Sequence, residues 1–191
     1  YSTDYVFDGT KSEHYSESDQ PNPINVYGKS KLAGEIAIEQ SGCKYLIFRT
    51  SWVIGAHGSN FAKTILRIAQ EKESIKVVSD QLGAPTTARL IVKVTRDAIE
   101  NKISKPWPQG VYHLAARGET TWYGIAKHLV EYVKSNGLRL TLDGSSIQPI
   151  SSDDYLTAAK RPLNSRLATR KIENILSFRL PNWEQGLNEV I

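Results

Sequence analysis

The 191-residue sequence contains one cysteine, Cys43, and no methionine. A single cysteine excludes an internal disulfide and is typical of a protein from a reducing compartment. We expect Cys43, which follows a serine and a glycine, to have a structural role. A chain without methionine also lacks an initiator residue, so we expect this sequence to be part of a longer protein.

Long apolar runs and tracts of one charge are also missing. No apolar run approaches the roughly 18 residues that cross a bilayer, and no signal peptide opens the chain. We therefore predict no membrane partner and a cytoplasmic location. The net charge of +4 comes from 24 basic and 20 acidic residues that are interspersed along the chain. This pattern argues against a nucleic-acid partner, whereas a mild positive bias suits a phosphate-bearing small substrate.

Two kinds of binding motif are absent. The four histidines have no spacing typical of metal ligands, and we predict that His113, inside an apolar strand, is a core residue. A dinucleotide site usually needs a glycine-rich turn between a strand and a helix, and the sequence contains no glycine cluster after an apolar strand. We expect this chain alone to bind a dinucleotide poorly or not at all.

Helical and strand patterns alternate along the chain, which predicts a layered α/β protein. The apolar run Tyr45–Phe48 predicts a buried parallel strand that delivers Arg49–Trp52 to the carboxyl edge of a sheet, where such folds bind ligands. We predict helices over about 25–41, 59–72, 88–101, 122–135 and 183–191, strands over 75–78 and 111–115, loops over 8–23 and 80–86, a linker over 105–110, and a less regular region after residue 135.

The sequence Tyr-Gly-x-x-Lys occurs twice, at Tyr27–Lys31 and at Tyr123–Lys127. On a helix, residues four apart share a face, so each lysine ammonium would lie near its phenol and favour the phenolate. Such a phenol suits general acid catalysis. One chance occurrence is expected, and we interpret Tyr123–Lys127 as a surface pair.

Tyr27 differs from Tyr123 in what precedes it. The segment Pro21–Asn25 leads into its helix, Gly28 is expected to leave room beside the phenol, and a strand-like stretch ends in the hydroxyl of Thr3. A hydroxyl followed by such a pair is the layout of a ketone reductase.

Blocks distributed over nearly the whole chain, in the same order, resemble the extended short-chain dehydrogenases, and most closely the dTDP-4-dehydrorhamnose reductase family. These blocks are Ser2–Gly9, Asn25–Glu35, Arg49–Val53, Gly58–Ala62, Asp80–Thr86, Gly110–Leu114 and Arg161–Ser165. The resemblance implies the C-terminal part of a Rossmann-like, doubly wound parallel sheet with a smaller α/β substrate-binding lobe. Residues 1–105 would be the remainder of the nucleotide-binding domain, with part of the lobe interleaved, and residues 106–191 mainly the lobe.

The resemblance also implies a reaction, the reduction of the C4 ketone of dTDP-4-dehydro-6-deoxy-L-mannose to dTDP-L-rhamnose by NADPH or NADH. Tyr27 would give a proton to the ketone oxygen. Lys31 would favour the phenolate of Tyr27 and hold the nicotinamide ribose, and Thr3 would hydrogen-bond the ketone oxygen.

Further residues are implied to bind the nucleotide-sugar substrate beside Thr3: Asp4, Tyr5, Trp52, Asn60 and Arg161. Trp52 is either a wall of the sugar pocket or a core plug. Asn60 would meet a diphosphate, cap a helix, or do both. The Arg161 fork suits phosphate oxygens, and Gln81 and Asn164 could also reach the nucleotide half.

Assembly and two rival functions stay open. Some members of the family pair through a Mg²⁺-bridged acidic interface, in which a glutamate often stands where this chain has Arg89. A cation there would repel a metal, so we doubt a Mg²⁺ site and leave a homodimer open. The rivals are a non-catalytic subunit similar to that of methionine adenosyltransferase and another nucleotide-sugar reductase or epimerase. Thr50–Trp52 and Asp80–Thr86 look like the reductases rather than the regulatory relatives.

Overall fold

The computed structural model describes residues 1–100, 107–155, 157–176 and 178–191. Strands in these ranges are β1 (Ser2–Thr3), β2 (Leu46–Thr50), β3 (Val53–Ile54), β4 (Ile75–Val78), β5 (Leu82–Gly83), β6 (Thr86–Thr87), β7 (Gly110–His113), β8 (Thr120–Thr121) and β9 (Ile147–Ile150). Helices are α1 (Val26–Gln40), α2 (Phe61–Glu71), α3 (Ala88–Glu100), α4 (Trp122–Ser135), α5 (Arg170–Leu176) and α6 (Trp183–Asn188), and a 3-10 helix covers Asp4–Val6. None of these helices is long and apolar enough to cross a bilayer.

Parallel pairing dominates the described strands. In the central sheet β1 pairs with β2 and β2 with β7, and Thr3 lies opposite Thr50 at the carboxyl ends of their strands. Further parallel pairs are β3 with β6 and β4 with β9, while β5 and β8 are antiparallel. Helices therefore connect parallel strands, and the predicted α/β class is confirmed.

The main core lies between the central sheet and helices α2, α3 and α4. Helix α4 buries five apolar side chains, Ile125, Ala126, Leu129, Val130 and Val133, and the first four belong to this core. Fully burying a side chain such as Leu129 contributes about 1.5–3 kcal/mol, so hydrophobic burial accounts for the position of this helix. A second, smaller cluster consists of Val6, Phe7, Tyr15, Ala115 and Leu167.

Helix α1 is held in a different way. Of its 15 residues only Gly28 and Glu35 are buried. Glu35 accepts hydrogen bonds from Arg49 on β2, from Nε at 2.9 Å and from Nη2 at 2.6 Å, in a bidentate ion pair. The Asn25 side chain caps the helix by accepting from the Gly28 amide at 2.8 Å. The buried Glu35–Arg49 ion pair and a close contact between Gly28 and the backbone of Tyr5 thus position α1 on the sheet.

Two predicted features are wrong in detail. The predicted loop 80–86 contains β5 and ends in β6, and the region after residue 135 contains β9 and α5. Strands β5 and β6 are two residues long, which is too short for a sequence pattern. They are recognised as strands only through their pairing with β8 and β3. Strand β9 is only four residues long and contains Pro149, so its own sequence does not predict a strand. The first two residues of the predicted linker 105–110 lie outside the described residues, and its last residue, Gly110, begins β7. The division of the chain at residue 105 stays a prediction.

Candidate active site

Thr3 lies at the carboxyl edge of the central sheet, where β1 ends and the 3-10 helix begins. Its Oγ1 accepts a hydrogen bond from the Tyr5 amide at 3.2 Å, which caps the 3-10 helix. The same hydroxyl donates to Asp4 Oδ1 at 3.0 Å. Both partners of Thr3 are therefore its own chain neighbours, and the turn fixes its side chain at the edge.

Asp4 is a buried acid, with 3% of its surface exposed. Its Oδ2 has no hydrogen-bond partner among the described residues. Burial raises the pKa of Asp4 to about 6, and the hydroxyls of Ser165 and Thr3 partly oppose this rise. The acid next to Thr3 therefore keeps its proton to a higher pH than an exposed aspartate does.

Tyr27 projects from the first turn of α1 and is 53% exposed. Its ring meets the ring of Tyr5 edge to face, with centroids 5.6 Å apart. A Cβ atom on Gly28 would collide with the backbone carbonyl of Tyr5. The glycine therefore allows α1 to approach the backbone after Thr3, which corrects the expectation that it makes room beside the phenol.

Lys31 follows Tyr27 by one helical turn and shares its face of α1. It forms no ion pair within the ranges that the structure describes. The α1 N-terminus is tied to the C-terminal half of the chain, because Asn25 Nδ2 donates to the Lys160 carbonyl at 2.9 Å. Lys31 thus lies one turn from Tyr27 on the same helix, and its role toward a ligand stays a prediction.

A cleft with a volume of about 580 Å³ opens beside this edge. Apolar side chains from α2, β4 and the start of α4 form one part of its lining: Phe61, Ile65, Ile68, Val77 and Trp122. Polar residues form the other part, and they include Gln81, Ser152, Lys160 and Arg161. A cleft of this size with an apolar wall and two neighbouring cations suits a nucleotide.

Arg161 connects the cleft to the carboxyl edge of the sheet. It lines the cleft, and its positive charge acts on the phenol of Tyr5. Burial and the nearby charge of Asp4 raise the pKa of Tyr5, and Arg161 opposes that rise. The structure thus brings together Thr3, Asp4, Tyr5, Tyr27 and Arg161, as the sequence predicts.

Trp52 has an aromatic partner within the protein and does not line the cleft. Its ring stacks on Trp122, with centroids 4.0 Å apart and planes 20° from parallel. Gly83 lies so close to the Trp52 ring that a Cβ atom there would be 2.7 Å from it. Trp52 also has a φ angle of 47°, a strained backbone for a bulky residue. Its predicted contact with a sugar stays a prediction.

Asn60 caps α2. Its Oδ1 accepts from the Lys63 amide at 3.1 Å, and its Nδ2 donates to the Gly55 carbonyl at 2.7 Å. Both polar atoms of the side chain are therefore engaged within the protein. A diphosphate contact by Asn60 stays a prediction, although the neighbouring Phe61 lines the cleft.

Gln81 lines the cleft in the structure, whereas Asn164 does not. Gln81 lines the cleft, accepts from Trp122 Nε1 at 3.0 Å and donates to Ser152 Oγ at 2.9 Å. Asn164 is buried and donates to the carbonyls of Lys11 and Glu13, so it anchors the loop before α1. Of the two, Gln81 is placed to meet a ligand.

Sequence reasoning missed the aromatic side of the cleft and the serine that holds Gln81. Trp122 is the first residue of a helix that the sequence predicts, yet nothing in its position along the chain indicates that it faces a ligand. Its stack with Trp52 depends on residues 70 positions apart. Ser152 lies in the region predicted as irregular.

His113 and Cys43 lie outside the group of residues at the sheet edge, and the first is buried whereas the second is exposed. His113 is fully buried, its Nδ1 lies 3.0 Å from the Tyr15 carbonyl, and burial together with the charge of Arg49 lowers its pKa to about 3. His113 is a neutral core residue, as predicted. Cys43 is exposed beyond the end of α1, with Sγ 2.8 Å from Ser41 Oγ, so it does not contribute to a core.

The described residues do not fit a magnesium site. Within the described ranges, no three histidine, cysteine, aspartate or glutamate side chains are close enough together to hold a metal ion. Arg89 Nη1 instead lies 3.2 Å from Glu189 Oε2 in an ion pair. The Glu189 carboxylate is therefore paired with a guanidinium in this chain.

The sequence matches the family described as the RmlD substrate binding domain over residues 1–191. It is 46% identical to a dTDP-4-dehydrorhamnose reductase of Salmonella typhimurium and 45% identical to one of Escherichia coli K12, and each comparison covers 100% of this chain and 63% of the relative. A crystal structure of dTDP-4-dehydrorhamnose reductase from Bacillus anthracis, in complex with NADP, has a TM-score of 0.87 at 35% identity and covers 99% of this chain and 63% of that one. The chain thus spans about 63% of the length of its curated relatives, and the resemblance seen in the sequence blocks is confirmed.

Proposed function

The chain belongs to the RmlD substrate binding domain family, and on this premise we propose that the intact protein reduces the C4 ketone of dTDP-4-dehydro-6-deoxy-L-mannose to dTDP-L-rhamnose. The observation that carries the proposal is the convergence of Tyr27 and Thr3 around Tyr5 at the carboxyl edge of the sheet. The relatives from Salmonella typhimurium and Escherichia coli, which bear the name of this reductase, support the same reaction.

In the proposed reaction, Tyr27 gives a proton to the ketone oxygen. Its exposure of 53% leaves the phenol accessible to a substrate, and the ring of Tyr5 fixes its orientation from one side. Lys31 stabilises the phenolate that forms, because opposite charges attract most strongly where water is excluded. General acid catalysis of this kind contributes about 10²- to 10⁴-fold to the rate.

Thr3 positions the ketone oxygen and stabilises its developing charge. In the structure its proton is directed to Asp4 Oδ1, so the hydroxyl must turn before it can donate to a substrate. A protonated Asp4 would instead donate to Thr3 Oγ1 and leave the threonine proton free. Because the pKa of Asp4 is raised to about 6, this exchange is accessible near neutral pH.

The cofactor of the proposed reaction is NADPH or NADH, which supplies a hydride to the ketone carbon. The available ammonium of Lys31 and the adjacent Tyr27 fit the hydroxyls of a nicotinamide ribose, as donors placed on one helix face. The Bacillus anthracis relative is in complex with NADP, which supports a nicotinamide cofactor without deciding between the two.

We assign the nucleotide half of the substrate to the 580 Å³ cleft. Lys160 and Arg161 would meet the diphosphate, because a guanidinium fork binds two oxygens and an ammonium adds charge. Phe61 and Trp122 give the apolar surface on which a base packs. Because the charge of Arg161 acts on the Tyr5 phenol, a diphosphate at Arg161 would lie near the sugar that reacts. A homodimer and a cytoplasmic location stay predictions.

The test is to follow NAD(P)H absorbance with the intact protein and dTDP-4-dehydro-6-deoxy-L-mannose, with dTDP-glucose, which has no ketone, as the control. Oxidation that depends on the keto sugar is expected, and a comparison of NADPH with NADH gives the cofactor preference. Tight cofactor binding without turnover would instead favour the regulatory-subunit alternative. Turnover of a different keto sugar alone would favour another nucleotide-sugar enzyme.

A further inference from the structure

A second groove lies between α3 and the segment of residues 178–189, and it shares no lining residue with the nucleotide cleft. Its volume is about 520 Å³, which is within the range of small-molecule sites. We name it the basic groove, because four cations line it: Arg89, Lys93, Arg117 and Arg179.

Charge is concentrated in the basic groove. Its lining has four cations and one carboxylate, Glu189, a local excess of three positive charges. The whole chain has a net charge of +4, from 24 basic and 20 acidic residues that are otherwise interspersed. A concave surface with this excess attracts anions and repels metal cations.

The fold places these cations on opposite sides of the groove. Arg89 and Lys93 lie one turn apart on α3, so they share a face. Arg117 is held by its backbone, whose amide donates to the Pro181 carbonyl at 2.9 Å and whose carbonyl accepts from the Trp183 amide at 3.0 Å. Arg117 and Arg179 therefore approach the groove from outside α3.

The cations differ in how far they are neutralised. Arg89 pairs with Glu189 at 3.2 Å, and Arg117 lies 3.7 Å from Glu173, a distance typical of a weak pair. The Lys93 ammonium lies 5.0 Å from the centre of the Phe178 ring and forms no ion pair in the described part of the chain. Arg179 is exposed and has no ion pair within the described ranges. At least two charges are thus free to bind a ligand.

We propose that the basic groove binds a small anion with two or more phosphate groups, of the pyrophosphate or nucleoside polyphosphate class. Guanidinium forks match pairs of phosphate oxygens, and the groove offers three of them together with one ammonium. Phe178, Leu180 and Pro181 add an apolar wall, on which the non-phosphate part of such a ligand packs. This site is independent of the proposed reductase activity.

The test uses inorganic pyrophosphate as the probe and isothermal titration calorimetry on the intact protein. In the wild type, saturable binding in the groove is expected in addition to binding at the diphosphate position proposed for the nucleotide cleft. In the double variant Arg89→Ala/Arg179→Ala the groove component should be roughly tenfold weaker or lost, because two charge-assisted contacts are removed. Arg96→Ala is the matched control, since Arg96 lies on the same helix, is similarly exposed and does not line the groove.

A second control separates the groove from the nucleotide cleft. Arg161→Ala should retain the groove site, because Arg161 lines only the cleft. Binding that is lost in Arg161→Ala and kept in the double variant would overturn the proposal, as would the absence of saturable pyrophosphate binding in the wild type. If the double variant is unfolded by circular dichroism, Arg179→Ala alone decides, because that exposed side chain has no ion pair to lose within the described ranges.

Discussion

Helices α1 and α4 carry the same Tyr-Gly-x-x-Lys sequence in different surroundings. On α4, Tyr123 packs against the main core, and Lys127 lies 3.9 Å from Glu131 one turn further on. On α1, Tyr27 is half exposed at the sheet edge, and Lys31 has no ion pair within the described ranges. The motif is therefore part of the packing in α4 and is available to a ligand in α1.

The difference arises from how each helix is attached. Five buried apolar side chains hold α4, so its tyrosine continues the hydrophobic face. Helix α1 is attached through the Glu35–Arg49 ion pair and the backbone contact at Gly28. A helix held by a few specific contacts can leave polar side chains such as Tyr27 in solvent, whereas a core helix packs them against the core.

The largest expected effect comes from removing the phenol hydroxyl of Tyr27. Removal of the phenol hydroxyl of Tyr123 is the matched control. In the intact protein, Tyr27→Phe should lower kcat for the keto sugar by about 10²- to 10⁴-fold, because the general acid is lost. Tyr123→Phe should leave kcat within about twofold, since it keeps the ring that packs on the core. Steady-state NAD(P)H oxidation measures both.

Cofactor titration by fluorescence completes this comparison. Tyr27→Phe should still bind the cofactor, whereas Lys31→Ala should weaken both turnover and cofactor binding. Near-normal turnover in Tyr27→Phe would remove Tyr27 from the proposed mechanism, and an equal loss in Tyr123→Phe would show that the effect is structural.

The second test breaks the ion pair that attaches α1. Glu35→Ala should lower the free energy of unfolding by about 3–5 kcal/mol, because Arg49 is left as a buried, unpaired charge. Glu131→Ala on α4 is the control, and its exposed pair with Lys127 should contribute no more than about 0.5 kcal/mol. Urea unfolding followed by circular dichroism measures both losses. Equal losses would contradict the distinction between the two attachments.

Local patterns predicted most helices of this fold. The strand at 75–78 and the helix at 122–135 have the predicted bounds, because apolar periodicity and the Thr121 cap are both local signals. The pairs β5–β8 and β4–β9 join segments about 40 and 70 residues apart, so no local pattern contains them. Here tertiary pairing outweighed the loop-like composition of residues 80–86.

The same limit applies to the candidate site. Thr3, Tyr27 and Arg161 could be proposed from the sequence, because they lie in blocks that resemble a known family. The stack of Trp52 on Trp122 and the bidentate Glu35–Arg49 pair could not, since each depends on the relative placement of two elements. The sequence predicted that Gly28 leaves room beside the phenol of Tyr27. Its actual close neighbour, the Tyr5 backbone carbonyl, is brought there only by the fold.

The third test concerns Asp4, the buried acid at the edge that α1 contacts. Its pKa is raised from 3.8 to about 6 by burial, so the native state binds a proton more tightly than the unfolded state. Stability is therefore lost as the pH rises from about 4 to about 6. Each pKa unit corresponds to about 1.4 kcal/mol, so Asp4→Asn should stabilise the protein by at most about 3 kcal/mol at pH 7 and by little at pH 4.

Urea unfolding of the wild type and Asp4→Asn across this pH range measures the difference directly. The lowered pKa of His113 has the opposite effect, a loss of stability as the pH falls below 6.5, but it acts equally in both proteins and cancels. A stability difference that does not change with pH would show that Asp4 has the same pKa in the native and unfolded states, which would contradict the raised pKa.

The smallest expected effect comes from the glycine that follows each tyrosine. A Cβ atom on Gly28 would meet the Tyr5 backbone carbonyl, which cannot move without shifting the 3-10 helix after Thr3. A Cβ atom on Gly124 would meet the Thr120 side-chain hydroxyl, which can rotate away. Gly28→Ala should therefore cost about 1–3 kcal/mol in unfolding free energy and also lower kcat, because Tyr27 moves away from Thr3. Gly124→Ala should stay within about 1 kcal/mol of the wild type, since the higher helix propensity of alanine offsets the contact. If both variants lose the same stability and keep full turnover, the close approach of α1 to Tyr5 does not set the geometry of the site.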